Sequence, residues 1–140
     1  MKAYLTKRYR FCASHRLHNP ALSAADNVRT YGKCNNPYGH GHNYTLEVMV
    51  SGPVNAATGM VCDLGTLDAL VEREILDRFD HENLNTLEEF AGRVPTSENL
   101  AATIFNILQH HFTAAHLEQV KLHETSLNAF AYAGGAALRE

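Results

Sequence analysis

The chain has 140 residues, 45% hydrophobic and 19% charged, a balance that excludes a disordered or fibrous protein and suffices for one domain over 1–140 with its own core. A formal charge of −3 excludes a general basic field for nucleic acid or an anionic membrane, and no apolar run approaches the roughly 20 residues of a membrane-spanning helix. Three scattered cysteines without a C-x-x-C pair, behind an N-terminus lacking the apolar stretch of a secretory leader, point to free thiols and a cytoplasmic protein.

Residues 4–17 alternate as a half-buried strand does. Leu5, Tyr9, Phe11, Ala13, His15 and Leu17 share one face, with Lys7 the exception. Residues 18–39 are rich in Asn, Gly and Pro and read as one long irregular segment, which in a compact domain usually serves function. A second strand over 42–52 puts His42, Tyr44, Leu46, Val48 and Val50 on one side. Over 64–79, Leu64, Leu67, Leu70, Val71, Ile75 and Phe79 have helical spacing. A second helix starts after Pro95 with Thr96 or Ser97 as its cap, and its stripe is Leu100, Ile104, Leu108 and Phe112. Two short strands, 117–124 and 128–133, close the chain. In the first, Val120, Leu122 and Glu124 share a face, so a carboxylate stands in an apolar phase.

Nine histidines are the oddity of the composition. In an extended Gly39-His40-Gly41-His42 both imidazoles point to one side, and glycines flank them. His15 lies in the core phase of the preceding strand. If the two strands pair antiparallel, it sits opposite that pair. Three imidazoles at one point suit Zn²⁺ with ligand distances of about 2.0–2.1 Å, and three protein ligands leave the open position of a catalytic zinc. Cys34, in the loop just before, reads three ways: base, nucleophile, or a fourth ligand that would close the site into a structural one. Cys12 and Cys62 read as structural. Asp80-His81 reads equally as a carboxylate orienting a histidine and as a helix end with a favourable histidine. Taken alone, Glu124 reads as a water-facing edge residue before it reads as an anchor for a guanidine-like edge. His110, His111, His116 and His123 read as surface or helix-end residues.

These segments together resemble the 6-pyruvoyl-tetrahydropterin synthase family. The match rests on Ala13-Ser14-His15-Arg16-Leu17, the run Gly32-Lys33-Cys34-Asn35-Asn36-Pro37-Tyr38-Gly39-His40-Gly41-His42-Asn43-Tyr44, Thr58-Gly59-Met60 with Asp63-Leu64, Asp80-His81 with Leu84-Asn85, Pro95-Thr96-Ser97-Glu98-Asn99, and Glu124-Thr125. It covers nearly the whole chain.

The resemblance implies an α+β T-fold: a four-stranded antiparallel sheet with two helices on one face, in the order ββααββ. Three such sheets would close into a β-barrel, and two trimers would stack into a homohexamer with active sites between subunits. It implies a lyase of tetrahydrobiopterin biosynthesis. That enzyme converts a small molecule, 7,8-dihydroneopterin triphosphate, to 6-pyruvoyl-tetrahydropterin with elimination of triphosphate. His15, His40 and His42 match the zinc ligands, Cys34 the catalytic base, and Asp80 with His81 the pair supporting proton transfer. Glu124 matches the carboxylate that anchors the pterin, with Thr96 and Ser97 beside it. Arg16, Lys33 and Arg8 are assigned to the triphosphate on charge alone.

Two other readings stand beside this one. The first is 6-carboxy-tetrahydropterin synthase of the queuosine and deazapurine pathway, whose members have a shorter cysteine-to-histidine spacing than the five residues between Cys34 and His40 here. The second is a non-catalytic, zinc-stabilised protein. The last strand departs from the family in its small residues, Ala129, Ala131 and Ala133.

Overall fold

The computed structural model describes residues 1–134. Two long strands, β1 (Lys2–His15) and β2 (His40–Pro53), pair antiparallel without a break from Lys2 opposite Pro53 to His15 opposite His40. Their alternation sets the two sides of the sheet. Phe11, Ala13, His15, Tyr44, Leu46, Val48 and Val50 are buried on one side, whereas Arg8, Arg10, Cys12 and Asn43 are exposed on the other. Lys7 breaks the apolar phase, and the fold accommodates it: its ammonium lies 2.8 and 2.9 Å from the two oxygens of Asp68, which also accepts from the Tyr9 hydroxyl at 2.7 Å.

The segment 18–39 is more ordered than its composition suggests. It holds helix α1 (Ala24–Tyr31), capped by Ser23, followed by a 3₁₀ turn (Gly32–Asn35). The buried side chain of α1 is polar. Asn27 donates from Nδ2 to the carbonyls of Asn19 and Ser23, and its Oδ1 accepts from the amide of Asn19. Apolar periodicity cannot reveal a helix anchored this way.

Helix α2 (Leu64–Val71), capped by Asp63, runs on through a π turn (Glu72–Leu76) and a last helical turn (Asp77–Phe79), close to the expected span. Helix α3 (Ser97–His111) is capped by Thr96, whose hydroxyl accepts from the Asn99 amide at 3.1 Å. Its Leu100, Ile104, Phe105 and Leu108 share one core with Leu67 and Val71 of α2, Ile75 of the π turn and the apolar side of the sheet. Each such residue contributes about 1.5–3 kcal/mol of transfer free energy.

The sheet has five strands rather than four. Strand β3 (Glu82–Asn83) is two residues long and lies parallel to β1 at Ala13 and Ser14, outside what a period-two pattern can register. Strands β4 (His116–His123) and β5 (Ala129–Tyr132) complete the order β3-β1-β2-β4-β5. In β5 Phe130 and Tyr132 pair with Leu122 and Val120, and Tyr132 meets Phe105 edge-on at 5.3 Å, so the small residues Ala129 and Ala131 fall on the opposite side. No helix of the described residues is long and apolar enough to cross a membrane.

Candidate active site

The β1–β2 ladder delivers the three expected imidazoles to one place. His15 faces His40 in register and His42 lies two residues along the same side of β2. The ring centroids stand 5.0, 4.9 and 4.7 Å apart, and the Nε2 atoms of His40 and His42 are 3.0 Å from each other. His15 is 1% exposed, and its Nδ1 donates to the Pro95 carbonyl at 2.9 Å. That bond fixes the tautomer and turns a bare Nε2 toward the other rings; this atom has no hydrogen-bond partner among the described residues. A buried, unpaired imidazole nitrogen facing two more is a donor set that could hold a metal ion. Burial, opposed by the Pro95 bond, lowers the pKa of His15. Burial likewise lowers that of His42, against the pull of Glu124. Both shifts favour the unprotonated form a metal needs.

The two glycines of the motif differ in their roles. Gly39 has φ +73°, and a Cβ there would come within 3.1 Å of the His15 carbonyl oxygen, so the chain can turn against β1 only without a side chain. A Cβ on Gly41 would make an ordinary contact at 3.8 Å.

Cys34 joins the same cluster from the 3₁₀ turn, where its carbonyl accepts from the Leu17 amide at 2.8 Å. His15, Cys34 and His40 bring one donor atom each within 4.8 Å of one another, and so do His15, His42 and Glu124. Burial, and then the Glu124 carboxylate, push the Cys34 thiol up from its ordinary value. Glu124 follows β4 directly and lies 3.9 Å from His42 Nε2. It accepts from the Ser97 hydroxyl in the first turn of α3, where the positive end of the helix favours a carboxylate. The water-facing reading of Glu124 is therefore wrong for this fold: its side chain is 15% exposed. The Thr96 hydroxyl is engaged as the α3 cap.

Asp80 and His81 are not brought to this cluster. They sit between the helical turn ending at Phe79 and β3, at the β1 edge of the sheet. Asp80 Oδ1 accepts from the Cys12 amide at 2.8 Å and lies 3.0 Å from His81 Nδ1, and the His81 amide donates back to the Cys12 carbonyl. His81 has φ +62°, an unusual conformation for a residue other than glycine, and its side chain is 80% exposed. Asp80 therefore stands beside the His81 imidazole at this edge. His81 lines a groove of about 460 Å³ with Cys12 and Asn43 of the polar side of the sheet, and the groove reaches His42.

Cys12 is exposed there rather than buried, its thiol 2.9 Å from Asn43 Oδ1, while Cys62 is buried. The three cations assigned to a phosphate tail are dispersed. Arg16 is tied down, its Nε donating to the Asn35 carbonyl and its amide to Asn85. Lys33 is exposed on the 3₁₀ turn. Arg8 lies on the polar side 3.4 Å from Glu47, which also meets His123 at 2.7 Å. Two participants escaped the sequence reading. The Pro95 carbonyl carries no sequence signal. Tyr44 does, because it stands two residues after His42 in the same phase, yet it reads as plain core.

The 6-pyruvoyl tetrahydropterin synthase family profile matches residues 4–135. The chain is 46% identical over 134 residues to a 6-pyruvoyl tetrahydrobiopterin synthase of Drosophila melanogaster, covering 94% of this chain and 80% of that one. It is 42% identical over 134 residues to the protein of the same name from Homo sapiens, covering 95% and 92%. The solved structure of Caenorhabditis elegans 6-pyruvoyl tetrahydropterin synthase superposes with a TM-score of 0.92 at 40% identity, over 96% of this chain and 97% of that one. The chain belongs to the 6-pyruvoyl tetrahydropterin synthase family.

Proposed function

We propose that the chain is a zinc-dependent lyase of pterin biosynthesis that converts 7,8-dihydroneopterin triphosphate to 6-pyruvoyl-tetrahydropterin and triphosphate. The observation that carries this reading is the convergence of His15, His40 and His42, with a bare His15 Nε2, beside a free thiol and a helix-capped carboxylate. The identity to relatives named 6-pyruvoyl tetrahydrobiopterin synthase favours the pyruvoyl product over the carboxy one.

The three imidazoles would hold the zinc, which when bound supplies Lewis acidity at the substrate side chain and a positive charge against the thiol. Cys34 then takes the side-chain proton. Its thiol stands high in the ligand-free site through burial and Glu124, so that added positive charge is what makes a thiolate accessible at neutral pH. Glu124 accepts the two parallel N–H groups of the amino-pyrimidinone edge and fixes the ring. No external redox cofactor is required, because reduction of the ring and oxidation of the side chain occur in one molecule.

Asp80 holds His81 as the second proton-transfer group. Because His81 lies with Cys12 and Asn43 on the polar side of the sheet, whereas Cys34 joins the buried imidazoles, we assign the pair to the site of a neighbouring subunit. Among the described residues, β1 is paired on its outer side only at Ala13 and Ser14 and β5 lies at the other edge of the sheet, which suits closure of three sheets into a barrel, with two trimers stacked as a hexamer. Thr96, Arg16, Lys33 and Arg8 are the remaining substrate contacts of this proposal, and the cytoplasm is its proposed location.

The test is product analysis by mass spectrometry after incubating the zinc-loaded protein with 7,8-dihydroneopterin triphosphate. A pyruvoyl side chain is expected. A carboxyl side chain with released acetaldehyde would move the protein to the deazapurine route. A second reading has one observation in its favour: Cys34 lies within ligand distance of His15 and His40 and could close the zinc site as a fourth donor. In that case no product forms and Cys34→Ala loses the metal.

A further inference from the structure

Among the described residues, two buried side-chain polar atoms lack a hydrogen-bond partner: Nε2 of His15 and the hydroxyl of Tyr44. Metal ligation accounts for the first. Nothing in the proposed chemistry uses the second, and a buried polar group left unpaired is destabilising.

The Tyr44 side chain has little freedom. The residue is 1% exposed, its ring stacks on Phe11 at 5.0 Å and 19°, and it meets the His42 ring at 5.6 Å. The β2–β4 register ends with Thr45 opposite His123; carried one residue further, it sets Tyr44 opposite Glu124. Ser97 and Glu124 are the groups that act on the hydroxyl: Ser97 stands at hydrogen-bonding range but short of full hydrogen-bond geometry, and Glu124 acts through its charge. Ser97 has already given its proton to Glu124 Oε2, so its oxygen can accept, while Tyr44 still has a proton to give.

We propose that Tyr44 is a positioning residue for Glu124: when a ligand engages the carboxylate, the Tyr44 hydroxyl closes onto Ser97 Oγ and completes a directed chain from Tyr44 through Ser97 to Glu124 Oε2. The chain fixes the rotation of the carboxylate. It leaves both oxygens with lone pairs for two parallel N–H donors, and a chain of like-directed hydrogen bonds strengthens its last member. This inference rests on the anchoring role proposed for Glu124.

Tyr44→Phe removes the hydroxyl and keeps the ring. For the zinc-loaded protein we expect KM to rise about tenfold, with kcat within about twofold of wild type and an unchanged zinc-to-protein ratio. A second readout needs no turnover. Fluorescence titration with 2-amino-4-oxopteridine, and with its analogue lacking the 2-amino group, should show about a tenfold wild-type preference that Tyr44→Phe abolishes. Ser97→Ala should do the same, and the double variant should be no worse than either single one.

Unchanged KM and ligand preference, a fall in kcat alone, loss of zinc, or additive single effects would each overturn the positioning role. A wild type that prefers the 2-amino compound yet releases no pyruvoyl product overturns the reaction assignment and leaves the Tyr44 inference standing. A wild type with no preference overturns both.

Discussion

The histidine cluster and the Asp80–His81 pair are the two chemically loaded regions of this molecule, and they are built in opposite ways. The cluster is assembled inside one chain. Its residues come from β1, β2, the 3₁₀ turn and the end of β4, and every one is tied to backbone or core. The edge pair is assembled from adjacent residues, anchored only to the backbone of Cys12, with its imidazole turned to solvent. Substitution of an imidazole in the first region should therefore disturb metal, fold and chemistry together. Substitution in the second should disturb chemistry alone.

The largest expected effect separates catalysis from metal binding within the cluster. Cys34→Ala should retain zinc by metal analysis and lower turnover by about 10²–10⁴, the range for removing a general base. Retained turnover would break the assignment of Cys34. Next comes the edge pair. His81→Ala should fold and melt as wild type does and lose about 10²-fold or more in kcat. Mixing refolded Cys34→Ala and His81→Ala chains should restore part of the activity, because some sites then combine an intact thiol from one subunit with an intact imidazole from the next. Failure of mixing to restore any activity would place both residues in a single chain's site.

A third effect concerns the buried imidazoles. His15→Ala should abolish zinc binding and cost about 2–5 kcal/mol in denaturant unfolding, through the cavity and the orphaned Pro95 carbonyl. Acid should do the same more gently. The folded-state pKa values of His15 and His42 lie below the ordinary histidine value, so their stabilising contribution is full above it. In the metal-free protein, stability should fall as pH drops below about 6.5, because the unfolded chain then takes up protons that the folded one refuses. Zinc affinity should fall over the same range, since protons and metal compete for the same nitrogens. A metal-free stability curve flat between pH 7 and 5 would contradict the burial argument.

The smallest effect lies far from both regions. Lys7 and Tyr9 hold the Asp68 carboxyl below its ordinary pKa, but its side chain is 42% exposed. Asp68→Asn should therefore cost no more than about 1 kcal/mol. The loss should be seen in urea unfolding at neutral pH. It should vanish as acid protonates the wild-type carboxyl, because a depressed pKa contributes in full above the unfolded value of about 3.9 and is lost as pH falls through the lower folded value.

The contrast also explains what could be read in the chain. Alternation along β1 and β2 is long and clean, so the inner face, the convergence of the imidazoles and the helical stripes were all legible. The phase of Glu124 was legible as well, although its partner in α3 was not. What escaped is polar or short. Helix α1 is held by Asn27 rather than by an apolar stripe, and β3 pairs for two residues. The role of Lys7 required knowing that Asp68 would stand over it. The Asp80–His81 geometry depends on a left-handed residue at His81, which no composition rule assigns to histidine.

The unbroken β1–β2 pairing has one further consequence, for folding fidelity. A slip by one residue would turn every core side chain to the wrong face and is excluded by hydrophobicity. A slip by two preserves the alternation: leucine, valine, tyrosine and phenylalanine still face inward, and apolar burial discriminates poorly between the two ladders. Only the native register sets His15 against His40 while its Nδ1 reaches Pro95. A cation bound by the three rings would withhold its binding energy from misalignments that carry His15 away from both His40 and His42. The reaction centre then acts as a proofreader of strand pairing, and the protein refolded with chelator should contain misregistered, inactive chains that later addition of zinc rescues only slowly.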